Sequence, residues 1–521
     1  MIEAMRVPAF YPTRPPVVEF RQTHISYVFL AGDSVYKVKK PVRFTFLDYS
    51  SLKQRRFYCR EEVRLNRRLA PDVYLGVLPI FERDGSFLLG RETDESDTCH
   101  AAEYTVKMRR LPEDRMLDAL VRGNGVDPGQ IDAITRRLVT FHAAAGTERS
   151  SLYGTPDGIW RRLADNFVET EDFIGKGLSA RRFRNIEAYS RGFIDGHRHL
   201  FAGRIKEGRI REGHGDLRAE HICLSDDVLI FDCIEFDERL RYCDVASELA
   251  FLAMDLDFLG APGLSRYLTD TYASVAGDDT FHALLPFYKC YRAFVRVKVE
   301  SLKSREREVP LEEREQARAA AGKFLRLSHR YARGSPRPAM LVVYGMVGSG
   351  KSTVARALGD LSAFDIWRSD VTRKKLAGVP PTFRAAAGFR SGLYGDRFTE
   401  NTYGALLEAA RNSLKSQRGV IVDATFRDPA HRRLFSRAAE NLGVPVLFVE
   451  CRAREDEILR RLREREKRPE EVSDANVEVY LRQRDDFAPL AEIPGGCHVR
   501  VDTEADLDEE LEKVEACLYS Q

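Results

Sequence analysis

The chain predicts two domains of different class, an α+β domain followed by an α/β domain. Three observations lead there. At 521 residues it is too long for a single hydrophobic core. A Gly- and Pro-bearing stretch, "HRYARGSPRPAM" (His329 to Met340), follows a long charged helical run and precedes the apolar run "AMLVVYG". The pattern also changes there: strand-like segments and then helical periodicity come before it, and regular strand–helix alternation comes after. The domains are accordingly placed at about 1–335 and 338–521.

Element by element, "HISYVFLAG" and "SVYKVKK" meet around a Gly-Asp pair and read as a hairpin. A helix is expected from Ser51 to Leu69, then strands at "YLGVLPIFE" and "AEYTVKMRRL". From about Asp127 helical periodicity dominates, interrupted by "GHGDLRAEHICL" and the strand "VLIFDCIEF". In the second half "MLVVYG", "GVIVDAT" and "VPVLFVEC" are short apolar runs suited to buried parallel strands, with helices from Lys351 and near Arg432. That alternation predicts a parallel sheet between helices.

Composition narrows the function classes. Apolar content of 43% and charged content of 31% describe an ordinary globular chain. The 82 basic and 80 acidic residues leave +2, which argues against a bulk polycation that coats nucleic acid. Nine scattered cysteines form no C-x-x-C pair and no zinc set, and their odd number excludes a full disulfide framework. The start lacks the apolar core of a signal peptide, and no apolar run is long enough to span a bilayer. A cytoplasmic location, with no membrane partner, is expected.

"GMVGSGKST" satisfies G-x-x-x-x-G-K-[ST] between a strand and a helix. Glycines let backbone N–H groups turn inward around phosphate oxygens without side-chain clash. Gly345, Gly348, Ser349, Gly350, Lys351, Ser352 and Thr353 are therefore the expected ATP cradle. Lys351 neutralises the β- and γ-phosphates, and the Ser352 hydroxyl holds Mg²⁺. "RSDVTRKKLAG" carries Asp370 and Arg373 after the second strand, and "GVIVDATFRD" places Asp423 at a strand tip, where it is a metal or acceptor candidate. Taken with these residues, 339–521 resembles the P-loop kinases of small molecules and polynucleotide ends, including gluconate kinases, polynucleotide 5′-hydroxyl kinases and zeta-toxin-like kinases. The resemblance implies that Asp370 takes the acceptor proton and that Arg373 binds a phosphate. The alternative for Asp370 is a helix cap. "LRRLREREKRPEEVSDANVEVYLRQRDDF" resembles the lid of such kinases, with Arg461, Arg463 and Arg465 as closing arginines and Arg463 the choice among them.

In the first half, "HGDL" with Asp216, "LIFDCIEF" with Asp232, and "DVASELAF" with Asp244 resemble the aminoglycoside phosphotransferases, a branch of the protein-kinase-like bilobal fold. The likeness is spread over most of 18–300. It implies Asp216 as catalytic base and Asp232 as metal ligand. On "SVYKVKK", Lys37 and Lys39 share a strand face. Lys37 is preferred as the phosphate-binding lysine, and Glu62 on the helix "REEVRLNRRLAP" is its partner. Met108, in "VKMRRLP", is the adenine-binding hinge candidate. His142 in "FHAAA" reads as core packing.

Two positions depart from the family pattern. No G-x-G-x-x-G loop is present, and His221, a metal-site candidate by its position, stands where kinases carry a metal-binding Asn. Imidazole is a poor Mg²⁺ ligand. Three outcomes remain open: Asp232 holds one metal alone, His221 binds phosphate or substrate, or the domain binds without catalysing. The pairing of modules resembles bacterial two-domain proteins joining a phosphotransferase-like module to a P-loop kinase. It implies transfer of the γ-phosphoryl of ATP, at one or both sites, to a hydroxyl of a sugar, aminosugar or nucleoside. The alternatives are a polynucleotide 5′-hydroxyl kinase and a nucleotide-switched regulator whose first domain is a pseudokinase. A nucleic-acid partner is not favoured by the net charge. The sequence leaves the oligomeric state open.

Overall fold

The hairpin forms as its Gly-Asp turn requires. Ser26–Ala31 pairs antiparallel with Ser34–Lys39, and Gly32 takes φ +63° between them, a left-handed conformation that glycine adopts without strain. In this computed structural model the described residues are 1–44, 47–91, 101–147, 153–380, 383, 395–466, 476–484 and 497–520. They divide into two compact units: Met1–Val168 with Ser190–Val295, and Glu169–Tyr189 with Arg296–Gln521. The Pro-bearing linker lies within the residues of the second unit, and the helix Leu311–Arg333 runs into its first part. No helix among the described residues is long and apolar enough to cross a membrane.

The first unit opens with a six-stranded antiparallel sheet. Its spatial order is Val18–Gln22, Ser26–Ala31, Ser34–Lys39, Ala101–Arg109, Tyr74–Arg83 and Ser86–Leu89. The expected helix spans Leu52–Asn66, started by a capping box between Ser51 and Gln54. Its Cys59 and Val63 pack with Tyr74, Phe81, Tyr104 and Val106 of the sheet. The helical part follows, with Pro128–Ala144 capped by Asp127 and Val245–Phe258 almost wholly buried. This is the small strand-rich lobe and large helical lobe of a protein-kinase-like fold. Two short antiparallel pairs flank the stretch at Asp216. One joins Ile210–Glu212 to the distant strand Tyr242–Asp244, and the other is a hairpin of Ile222–Leu224 and Val228–Ile230. The strand expected through "VLIFDCIEF" stops at Ile230, because Asp232 takes φ +63°, which extended pairing cannot accommodate.

The P-loop part of the second unit is a five-stranded, wholly parallel sheet. Its order is Asp365–Arg368, Val420–Asp423, Met340–Tyr344, Val446–Arg452 and His498–Asp502. Side chains alternate along the central strand. Leu341 and Val343 join one core with helices Lys351–Ser362 and Leu507–Ser520, while Met340, Val342 and Tyr344 join the other with Asp396–Lys415 and Pro429–Asn441. Burial on both faces explains why the strands read as unbroken apolar runs.

Candidate active sites

In the first unit Lys37 on its strand, Glu62 on its helix and Asp232 come together. Lys37 Nζ lies 2.9 Å from Glu62 Oε1 and donates to Asp232 Oδ1 at 2.6 Å. Glu62 is fully buried, and its second oxygen accepts from Lys39 Nζ at 2.7 Å. Both lysines on the strand face thus share one carboxylate. Met108 sits two residues past Val106, the cross-strand partner of Lys37, and is itself flanked by Val35 and Tyr74.

The loop that carries Asp216 is held from beneath. His214 Nε2 donates to the Phe231 carbonyl at 2.8 Å, and both Glu248 oxygens accept from the His214 amide at 2.9 Å. Glu248 is buried, and burial alone would raise its pKa. The hydrogen bond from His142 Nε2 at 3.1 Å, with the nearby imidazoles and loop amides, instead lowers it to about 2. His142, read as packing, is therefore the buried partner that keeps this carboxylate ionised. Asp216 accepts from Arg218 Nε at 3.1 and 3.2 Å.

His221 donates from Nδ1 to the Asp216 carbonyl at 2.8 Å, and its Nε2 lies 3.7 Å from Asp232 Oδ2. The residue at the Asn position thus stands between the two aspartates. No group of three or more His, Cys, Asp or Glu side chains among the described residues is arranged to hold a metal ion.

In the second unit, Gly345, Gly348 and Gly350 all have positive φ, at +146°, +78° and +85°. A Cβ at Gly345 would stand 2.5 Å from the Cys451 carbonyl oxygen. Ser349 is 1% exposed, and among the described residues its hydroxyl has no hydrogen-bond partner. Lys351 Nζ donates to the Met346 carbonyl at 2.7 Å, curling over the loop. Ser352 Oγ donates to Asp423 Oδ2 at 2.6 Å. Burial raises the Asp423 pKa against the pull of Lys351, and burial likewise lowers that of Lys351.

Asp370 lies in the first turn of Ser369–Leu376, inside the helix rather than at its cap, and its charge acts on both Lys351 and Asp423. Arg373, buried in the same helix, donates from Nη1 to Thr399 Oγ1 at 3.3 Å. Thr353 is exposed at the start of the following helix.

The lid arginines separate. Arg461 is bound to Glu457 at 2.7 Å and to Thr503 at 2.8 Å, Arg463 is exposed, and the charge of Arg465 acts on Lys351. The lid stretch at 467–475 and from 485 onward lies outside the described residues.

These features fit a nucleotide with Mg²⁺. The loop has room only for hydrogen at Gly345, carries an orphaned buried hydroxyl, and presents two hard oxygens on adjacent elements. Gly348 gives a first test. A methyl group there meets Ile458 Cγ2 at 2.9 Å and Leu462 Cγ at 3.1 Å on the lid helix Glu455–Glu466, with φ unfavourable for any L residue. Gly348→Ala is expected to weaken ADP binding by about tenfold, read by calorimetric titration, from roughly 1–2 kcal/mol of backbone strain.

Residues 340–490 match the family model described as AAA domain. The "Uncharacterized protein Rv2004c" of Mycobacterium tuberculosis (strain ATCC 25618 / H37Rv) is 34% identical over 446 residues, which is 85% of this chain and 85% of its own length. The chain belongs to the Rv2004c family. The "Uncharacterized protein Mb2027c" of Mycobacterium bovis matches to the same extent. Among solved structures, a choline/ethanolamine kinase family protein from Mesorhizobium loti is 13% identical, with a TM-score of 0.37, over 64% of this chain and 98% of its own. A gluconokinase from Sinorhizobium meliloti 1021 is 19% identical, with a TM-score of 0.26, over 35% of this chain and 93% of its own.

Four side chains at the two candidate sites were not singled out from the sequence, although Glu235 and Glu248 lie within the quoted stretches "LIFDCIEF" and "DVASELAF". Glu248 and Glu235 reach their partners only through tertiary contact. Arg368, opposite Asp423 on the neighbouring strand, brings Nη2 to 3.3 Å from Ser352 Oγ and Nε to 3.4 Å from Asp423 Oδ2. Thr503, just past the last strand, donates to the Ser349 carbonyl at 3.0 Å. Arg368 stands two residues before Asp370 in "RSDVTR", a proximity that could have flagged it.

Proposed function

We propose that this protein is an ATP-dependent phosphotransferase acting on a hydroxyl of a small molecule such as a sugar, aminosugar or nucleoside, with the P-loop module at about 338–521 as its principal site. The observation that carries this reading is the Ser352–Asp423 pair at 2.6 Å beside Lys351 and within the field of Asp370. Phosphoryl transfer is chiefly positioning plus charge neutralisation. Mg²⁺ held by Ser352 and Asp423 would supply charge neutralisation at the phosphates. Lys351 binds the β- and γ-phosphates. Asp370 takes the proton of the acceptor hydroxyl as its oxygen bonds to the γ-phosphorus, the bond to the β–γ bridging oxygen breaks, and ADP leaves. Arg373 orients a phosphate. Of the lid arginines, the charge placement favours Arg465 over Arg463 for closing on the transferring group.

The N-terminal module, about 1–335, is proposed as a second ATP site. Lys37 and Glu62 bind and orient phosphates there, Met108 contacts adenine, Asp232 serves the metal and Asp216 is the base. One observation favours a regulatory reading for this module alone: His221 occupies the Asn position and faces both aspartates. A reducing, cytoplasmic compartment suits the nine scattered cysteines, which form no C-x-x-C pair.

The test is an acceptor screen with labelled ATP, comparing Lys351→Ala and Asp216→Ala. Lys351→Ala is expected to reduce transfer by about 10²–10³-fold. Transfer lost only in Asp216→Ala would demote the P-loop module to a regulator. ATP bound with no acceptor phosphorylated would sink the phosphotransferase reading.

A further inference from the structure

The first unit contains a second lysine that the phosphate-binding role does not use. Lys39 is fully buried, as is Glu62, and Glu235 is 5% exposed in its side chain. Lys39 Nζ donates to Glu62 Oε2 at 2.7 Å, ion-pairs with Glu235 Oε1 and reaches Tyr49 OH at 3.3 Å. Tyr49 OH in turn donates to Glu235 Oε1 at 2.5 Å. Removing such groups from water costs several kcal/mol per ion, so a buried ionic cluster is weak support for stability in itself. Its effect is geometric. A carboxylate with one oxygen on Lys37 and the other on Lys39 cannot rotate away from either.

Glu235 lies three residues after Asp232, whose left-handed backbone needs outside support. That support comes from the strand-rich lobe. Tyr74 OH accepts from the Asp232 amide at 3.1 Å, Asn66 Oδ1 accepts from the Cys233 amide at 2.8 Å, and Lys39 and Tyr49 hold the Glu235 carboxylate. The whole stretch 232–235 is thereby pinned to the strand and helix that carry Lys37 and Glu62.

We propose that Lys39, with Glu235 and Tyr49, is the positioning group of the N-terminal nucleotide site: it fixes Glu62 from the side opposite Lys37 and locks Asp232 beside them. The proposal rests on the reading of that module as an ATP site. Without Lys39, two buried carboxylates compete for Lys37, which then leaves Asp232.

The test uses the full chain and an acyl-phosphate derivative of ATP, which acylates lysine amines beside bound phosphates, with peptide mapping of Lys37 and Lys351. In the wild type both lysines are labelled, and ATP competes. Lys39→Met lowers Lys37 labelling at least tenfold, leaves Lys351 labelling unchanged, and is partly rescued in Lys39→Arg. Glu235→Gln and Tyr49→Phe lower Lys37 labelling in the same direction by smaller factors, and they decide the matter if Lys39→Met does not fold. Equal Lys37 labelling in the wild type and these variants overturns the positioning role alone. Absence of ATP-competed Lys37 labelling in the wild type, with Lys351 labelled, overturns the nucleotide reading of the module and this inference with it.

Discussion

Asp370→Asn lowers phosphoryl transfer at the P-loop site by about 10²–10⁴-fold, the range expected when a positioned base is removed. The substitution keeps size and shape but leaves no group that can accept the acceptor proton. Asp370 is half-buried in the first turn of its helix, and its charge acts on Lys351 and Asp423, so the carboxylate stands within the field of the P-loop lysine rather than on a remote surface. Neither the loop glycines nor Lys351 depends on it for position, so ATP affinity stays near wild type. Steady-state kinetics with the acceptor, set beside ATP titration, separate the two effects. A turnover number that survives the change would remove Asp370 from the chemistry. Parallel loss of ATP binding would make it part of the cradle.

Arg182→Ala destabilises the second unit by about 3–5 kcal/mol, the range for stranding buried charges by deleting one partner. Arg182 is 0% exposed and donates to Asp508 Oδ1 at 2.6 Å and Glu515 Oε2 at 2.7 Å on the helix Leu507–Ser520. Arg326 also meets Asp508 at 3.2 Å, and His329 lies 3.4 Å from Glu515. Burial would raise the Glu515 pKa, but His329 and Arg182 lower it to about 2.

Because the folded value is depressed, the stabilisation from Glu515 is complete above its ordinary carboxylate value. It is lost as pH falls from about 4.5 through about 2. Urea melts across this window should show acid sensitivity in the wild type that is blunted in Arg182→Ala. A cost below about 1 kcal/mol would mean the site relaxes to admit water.

What could be read without coordinates was whatever is local. The P-loop, the hairpin at Gly32, the helix from Ser51 and the catalytic stretch at Asp216 are written in contiguous residues whose spacing carries their geometry. Lys37 and Glu62 were legible because a strand of period two and a helix of period 3.6 each show which side faces inward. Glu248, Glu235 and Arg368 were not, since each works through a partner distant in sequence and none breaks a local pattern. The fifth strand, His498–Asp502, hides for another reason. Its "HVRVD" alternates as an edge strand should, unlike the fully apolar central runs. Among the lid arginines the choice of Arg463 had little to stand on, because a helix face of alternating charge looks uniform in sequence, whereas in the structure it is the charge of Arg465 that acts on Lys351.

Arg182 has a temporal consequence. It belongs to the segment Glu169–Tyr189, which the chain contributes to the second unit before returning to complete the first. Its partner Glu515 follows 333 positions later. At ribosomal speeds of about 5–20 residues per second, the guanidinium waits on the order of 20–60 s for its carboxylates to emerge. A fragment begun at the Pro-bearing linker lacks this guanidinium, which leaves Asp508 and Glu515 without it. The helix Leu507–Ser520, which carries both carboxylates, is therefore the one that closes the unit around Arg182.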